Sequence, residues 1–201
     1  ATTNTFRVTD AAGHTASCFF TVTIVDSELP QITCPGNQSS NITAGTCGKV
    51  MSYTPPVGTD NCSGSTTVQT AGLASGSTFP VGVTTNTFRV TDASGNSATC
   101  SFTITIIDNE LPQISCPGNQ TANNTIGICG KAMTYTAPVG IDNCSGQTTT
   151  QTSGLPSGST FPVGVTTNTF RVTDASGNTA TCSFTITIND TEFPLITCPG
   201  N

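Results

Sequence analysis

The residues of this 201-residue chain with chemistry to offer are ten cysteines, eleven carboxylates and one histidine. Nucleophilic catalysis needs a base beside the nucleophile and an acid that orients the base, and His14 is the only imidazole. His14 stands where two later copies of the same stretch carry Asn96 and Asn178, which makes it a turn substitution and not a catalytic base. Paired Asp and Glu can hydrolyse glycosides. Here the pairs return at one fixed spacing, as structural residues do and a unique active site does not, so no enzyme is expected.

Those pairs lie in Asp26-Ser-Glu28-Leu-Pro30, Asp108-Asn-Glu110-Leu-Pro112 and Asp190-Thr-Glu192-Phe-Pro194. A hard cation such as calcium takes several oxygen ligands. Asp26, Glu28, Asp108, Glu110, Asp190 and Glu192 are therefore calcium candidates, with Asp60 or Asp142 and Asp92 or Asp174 as loop ligands. The competing reading is that the acids solvate a bend and that Asp60 and Asp92 bond their own turns. No other cofactor is expected.

The cysteines set the frame for everything else. Cys18, Cys100 and Cys182 stand 82 residues apart, as do Cys34, Cys116 and Cys198, and the pairs Cys47 with Cys129 and Cys62 with Cys144 repeat the offset. All ten thus fall on four positions of one period. From Ser75 to Thr103 and from Ser157 to Thr185 the copies differ only at Ser97 against Thr179. The period divides the chain into the C-terminal part of one repeat (1–28), complete repeats at 29–110 and 111–192, and the first strand of a further repeat (193–201). Ala1 aligns with Val83 and Asn201 with Asn119, which reads as a window from a longer repetitive protein. A unit of this length with two cysteine pairs can close a core of its own.

The elements that position these residues are strands. In Cys100-Ser-Phe-Thr-Ile-Thr-Ile106 the residues Cys100, Phe102, Ile104 and Ile106 share one face, and Ser101, Thr103 and Thr105 the other. Phe88 and Val90 alternate with Thr87, Arg89 and Thr91 just before it, and Ala93-Ser-Gly-Asn96 is the tight connection. Ile32 with Cys34, Met51 with Tyr53, and Val68 mark further strands, while no apolar stripe of helical period survives the frequent Thr, Gly and Pro. The expected fold is all-β: tandem immunoglobulin-like antiparallel β-sandwiches with an 82-residue period. Tyr53, Tyr135 and the strand Phe residues are its expected core.

Pro112-Gln-Ile-Ser-Cys-Pro117, Asp142-Asn-Cys144, Gly158-Ser-Thr-Phe-Pro-Val-Gly164 and Thr173-Asp-Ala-Ser-Gly-Asn178, followed by Ala180-Thr-Cys-Ser-Phe184, resemble the hyalin repeat, or HYR, module. The resemblance covers essentially the whole chain. It implies an immunoglobulin-like sandwich used in extracellular adhesion and matrix proteins of animals and in long repetitive surface proteins of bacteria, with no catalytic residues. Four cysteines per period, without Cys-x-x-Cys and with one histidine in all, read as disulfides and not as zinc ligands. The compartment is then oxidising, and the protein secreted or displayed at the cell surface.

Three pairings per repeat are possible. Strand parity turns Cys34 and Cys100 inward, and the resemblance implies that these two pair, because the plainest repeats of this kind keep only them. Cys47 is then expected with Cys62 and, in the next unit, Cys116 with Cys182 and Cys129 with Cys144; Cys34 with Cys47 and Cys62 with Cys100 stays open. On the chain-entropy model the two expected loops contribute about 4 and about 3 kcal/mol. Cys18 and Cys198 have no partner in this scheme.

Charged residues make up 8% of the chain, and the formal charge is -6. No stretch is basic enough to hold a phosphate backbone, which excludes nucleic-acid binding. Apolar runs such as Ile104 to Ile107 are broken by Thr and fall far short of the ~20 residues of a membrane-spanning helix. The outward Thr, Ser, Asn and Gln solvate a sheet only moderately, so a covalent sugar coat is expected. Sequons stand at Asn37, Asn41, Asn119, Asn123 and Asn189, with Asn61 and Asn143 the least accessible beside their cysteines. The junctions have no Gly- or Ser-rich spacer, and Pro30 and Pro112 fix the backbone there. The expected partners are neighbouring copies of the same repeat, in a longer chain or homopolymer. The expected role is structural, part of a fibre or cell-surface stalk; the alternative is an adhesin module binding a protein or glycan through loops such as Ser63–Ser65 or Ala93–Asn96.

Overall fold

A computed structural model describes residues 1–198 and 200, and among these there are strands and no helix. The strands are β1 (Thr2–Thr9), β2 (Thr15–Val22), β3 (Gln38–Asn41), β4 (Gly48–Val50), β5 (Thr66–Ala71), β6 (Thr78–Pro80), β7 (Gly82–Thr91) and β8 (Ser97–Ile107). They are followed by β9 (Gln120–Asn123), β10 (Gly130–Ala132), β11 (Thr148–Ser153), β12 (Thr160–Pro162), β13 (Gly164–Thr173) and β14 (Thr179–Asn189). Two compact units result: Ala1–Gln38 with Val50–Phe79 and Val83–Ile104, and Ser39–Lys49 with Pro80–Gly82 and Thr105–Asn201. The segment Ser39–Lys49, which includes most of β3 and the start of β4, comes from the first complete period but belongs to the second unit.

In the second unit a four-stranded sheet runs β11-β13-β14-β9, with a two-stranded sheet of β10 and β12. Period-two alternation creates its core: Asn168, Phe170 and Val172 of β13 and Phe184, Ile186 and Ile188 of β14 are buried, while Thr and Ser take the other face. Phe161, Phe170, Phe184, Ile186 and Ile188 form one cluster, with Met133, Tyr135 and Leu155 packed against it. The strands pair antiparallel except at one edge, where β9 runs parallel to β14 from Ile186↔Gln120 to Asn189↔Asn123. The first complete period has the same sandwich, with sheets β3-β8-β7-β5 and β4-β6.

The strand expected through Met51 and Tyr53 stops at Val50. The Tyr53 amide is taken by Ser75 Oγ at 2.8 Å and not by a neighbouring strand, and Pro55 and Pro56 follow without donors. The strand expected through Ile32 and Cys34 is reduced to a single bridge, Gln31 with Thr59. The core expectation holds for Tyr53, Phe88 and Phe102, which meet edge-on and stacked. It fails in the β1–β2 hairpin, where Phe6 and Phe20, the counterparts of Phe88 and Phe102, are 59% and 52% exposed and stack on each other.

One polar knot lies inside each sandwich. Asn86 is fully buried, and its Oδ1 accepts from the Leu73 amide at 2.8 Å and from Gln69 Nε2 at 3.2 Å, while the Tyr53 hydroxyl donates to the Leu73 carbonyl at 2.7 Å. Asn168, Leu155, Gln151 and Tyr135 repeat the arrangement. Gly72 runs at φ +89 directly against Asn86, so a Cβ there would collide with it.

Candidate functional site

Two disulfides tie a core strand to the segment that opens its own repeat: Cys34 to Cys100 and Cys116 to Cys182, with Cα–Cα distances of 5.6 and 5.5 Å. Each encloses a sequence separation of 66, which the chain-entropy model values at about 4 kcal/mol.

The remaining bond departs from expectation. Cys47 is joined to Cys144, with Cα atoms 5.0 Å apart and a sequence separation of 97, and not to Cys62. Cys129 is likewise not joined to Cys144; Cys18, Cys62, Cys129 and Cys198 are the free cysteines among the described residues. The reason lies in what holds each cysteine. Cys47 is carried by the loop from β3 to β4, where the Gly45 amide donates to Glu110 Oε2 at 2.7 Å and the Thr46 carbonyl accepts from Asn143 Nδ2 at 2.8 Å. Asp142 Oδ2 accepts from the Cys144 amide at 2.9 Å and fixes the turn that presents Cys144, itself buried, to that loop. The loop is thus fastened to the Asp-Asn-Cys turn of the following period, leaving Cys62 to surroundings of its own.

Those surroundings form the other copy of the same turn. Asp60 Oδ2 accepts from the Cys62 amide at 2.9 Å, as in the bonded copy, but Asn61 Nδ2 donates to Glu28 Oε2 at 2.6 Å where Asn143 reaches a loop carbonyl. The exposed Cys62 sulfur stands with Asp26 and Asp60. A hydrogen bond to Asp26 and its negative charge, with smaller effects of desolvation, Asp60 and Asp92, push the Cys62 thiol above its ordinary value.

The calcium candidates separate. Asp26 meets Asp60 and Cys62, and Asp108 meets Asp142 and Cys144, with one ligand atom from each inside 4.8 Å. The glutamates do not join them: Glu28 binds Asn61, Glu110 binds Gly45 and Glu192 Oε1 accepts from the Gly127 amide. Asp26, Asp108 and Asp190 each accept the amide two residues on, the self-bonded turn. Two carboxylates and a sulfur fall short of the six to eight oxygens calcium takes.

Asp92 and Asp174 are turn residues. Burial acts to raise the Asp92 carboxyl, but the Asn96 side chain and the amides of Asn96, Gly95 and Ser94 outweigh it and hold it below 3.8, and Asp174 matches it through Asn178, Ser176 and Gly177. His14 Nδ1 lies 2.9 Å from Asp10 Oδ2, the place that Asn96 Nδ2 fills on Asp92 at 2.8 Å. The sequon residues Asn37, Asn41, Asn119, Asn123 and Asn189 are exposed. Asn61 and Asn143 commit the amide nitrogen a glycan would take.

Strand sandwiches in tandem, each with an internal disulfide, define a class of modular β repeats. The HYR domain model matches residues 25–106 and 107–188, and the chain belongs to the HYR family. It is 36% identical to hyalin of Strongylocentrotus purpuratus over 100% of this chain and 17% of that protein. It is 30% identical to a serine-rich adhesin for platelets of Staphylococcus aureus over 91% of this chain and 8% of that protein. The chain therefore spans a small part of the length of these relatives. Among solved structures, extracellular cadherin domains 3-6 of protocadherin gamma B2 align with a TM-score of 0.36 and 14% identity, covering 88% of this chain and 55% of that one. Among the described residues no helix is long and apolar enough to cross a membrane.

Proposed function

We propose that the chain is a load-bearing segment of an extracellular fibre or cell-surface stalk, in which tandem HYR repeats are closed one by one and also stapled in series. The observation that carries this reading is the Cys47–Cys144 bond, which joins the loop of one period to the turn of the next. A covalent link between successive periods adds nothing to a binding loop, and it fixes one bead to the next while the string is folded. The three disulfides favour an oxidising compartment outside the cell. Glycans on the exposed Asn37, Asn41, Asn119, Asn123 and Asn189 belong to the same reading, as solvation for a surface with few charges.

Single-molecule stretching between the chain ends tests it. Each 66-residue loop hides about 230 Å of extended chain, so the oxidised protein should stop short of the reduced one by at least that length per loop. Equal extension with and without reductant contradicts a mechanical role for the bonds. The adhesin alternative has in its favour the name of the Staphylococcus aureus relative; it predicts saturable binding of a protein or glycan that Ser63–Ser65 or Ala93–Asn96 substitutions abolish.

A further inference from the structure

In each complete repeat the opening segment lies along the last strand, and the internal disulfide is one rung of that contact. Cys116 is bonded to Cys182 across a separation of 66 residues, and β9 keeps the same separation from β14, from Ile186↔Gln120 to Asn189↔Asn123. Further hydrogen bonds extend the ladder at both ends. Between the disulfide and β9, the Thr185 amide donates to Asn119 Oδ1 at 2.9 Å. Past β9, the Asn124 amide donates to the Asn189 carbonyl at 2.9 Å, and Asn124 Oδ1 accepts from the Thr191 amide at 3.1 Å. A continuous seam therefore runs from Cys116 to Asn124 on one side and from Cys182 to Thr191 on the other. The first complete repeat has the same rungs: Cys34–Cys100, the Thr103 amide on Asn37 Oδ1 at 2.8 Å, and the Ile42 amide on the Ile107 carbonyl at 3.0 Å.

The two sides of the seam are parallel, and this decides how tension meets them. Load from the preceding residues pulls the opening segment toward its N-terminus, and load on the following residues pulls the last strand toward its C-terminus. Parallel strands drawn in those opposite senses slide along their common axis, so all the rungs are strained together. An antiparallel pair such as β13 and β14 peels when its free ends are drawn apart, and it loses its rungs one at a time. We propose that the seam is the element of each repeat that takes tension, a shear clamp in which the disulfide is the first rung and the hydrogen bonds are a reserve that holds when the disulfide is reduced. The inference rests on the mechanical role proposed for the chain. While the bond is intact, tension crosses from Cys116 to Cys182 and the residues enclosed between them carry none. Once it is reduced, the rungs from Asn119 to Asn124 must give way before any of the enclosed chain extends.

Force clamping of the oxidised 201-residue chain, held by its ends, tests the clamp. At low load dithiothreitol reduces the bonds, each exchange leaving two cysteine thiols and turning the dithiol into a cyclic disulfide. The load is then raised, and the waiting time before each long step is recorded. Only a reduced repeat gives a step that includes the 66 enclosed residues, so the step itself reports the loss of the bond. Reduced repeats should stay closed at low load and open in one step at high load. Asn37→Ala with Asn119→Ala, which removes one acceptor from each seam, should shorten the waiting time about fivefold. Ser39→Ala with Thr121→Val removes the same sequons, keeps both acceptors and should change nothing. Thr70→Ala with Thr152→Ala removes hydroxyl bonds to the Thr87 and Thr169 carbonyls at the opposite edge of each sheet and should also change nothing. Slow amide exchange in the β7–β8 and β13–β14 ladders before reduction shows that each variant folds. Repeats that extend at low load as soon as they are reduced would overturn the proposal. So would a seam variant with the parent's waiting time, or a Thr70 and Thr152 variant shortened as much as the seam variant. A chain failing in any of these ways would still extend further reduced than oxidised, so the clamp and the mechanical role can fail separately.

Discussion

The two Asp-Asn-Cys turns are built from the same residues and differ in what they touch. At Asp142-Asn143-Cys144 the side-chain amide of Asn143 reaches the Thr46 carbonyl, Glu110 holds the Gly45 amide, and the sulfur is bonded and buried. At Asp60-Asn61-Cys62 the same amide turns back onto Glu28, and the sulfur stays exposed beside Asp26. Backbone shape is common to both, fixed by the aspartate and the glycine of the turn. A turn set by local hydrogen bonds is therefore ready before its partner arrives, and the partner decides only where the asparagine amide and the sulfur go.

Breaking the bonded copy should cost most. Cys144→Ser opens a separation of 97 residues and should lower unfolding free energy by about 4 to 5 kcal/mol on the chain-entropy scale. Cys62→Ser, at an exposed unpaired site, should stay within about 0.5 kcal/mol. Urea unfolding under oxidising conditions reads both, and equal losses would erase the distinction between the turns. Glu110→Ala is the next largest change, costing about 1 kcal/mol for the Gly45 hydrogen bond and slowing Cys47–Cys144 formation on reoxidation. Glu28→Gln should leave that rate unchanged.

Acid provides a perturbation the two copies share. The folded Asp92 and Asp174 carboxyls bind their protons more weakly than the unfolded ones at 3.8. Their contribution is therefore complete above that value and is lost as pH falls through it toward the lower folded value. Stability should drop below pH 3.8, and the double variant Asp92→Asn with Asp174→Asn should flatten that limb in an acid titration of unfolding. The smallest effect concerns the thiol. Cys62 should alkylate more slowly at neutral pH than a free thiol of ordinary value 9.0, and Asp26→Asn should speed it a few-fold.

Much of this was legible in the residues because it is local or periodic. The alternation of Phe102, Ile104 and Ile106 specifies β8, the 82-residue offset specifies the repeats, and parity turned Cys34 and Cys100 toward each other. The parallel edge formed by β9 was not visible, since no side-chain pattern distinguishes it from an antiparallel neighbour. Nor was the partner of Cys47, because pairing within a period closes each repeat on itself and leaves the following copy out. The periodicity itself held the missing signal: in a tandem chain, a cysteine of the following copy is as admissible a partner as one of its own. Glu110 and Asn143, whose hydrogen bonds select between them, act across sequence separations of 65 and 97 and leave no local trace. Nor does the spacing of Glu110 and Glu192, which shows charge alone, reveal the Gly45 and Gly127 amides that meet them.

Successive periods are covalently joined through Cys47 and Cys144. Peptide mapping of the alkylated, unreduced protein tests it most directly. One peptide pair should join Cys47 to Cys144, beside Cys34–Cys100 and Cys116–Cys182. Recovery of Cys47 with Cys62 and of Cys129 with Cys144 would contradict it, and would return each repeat to a bead closed on itself.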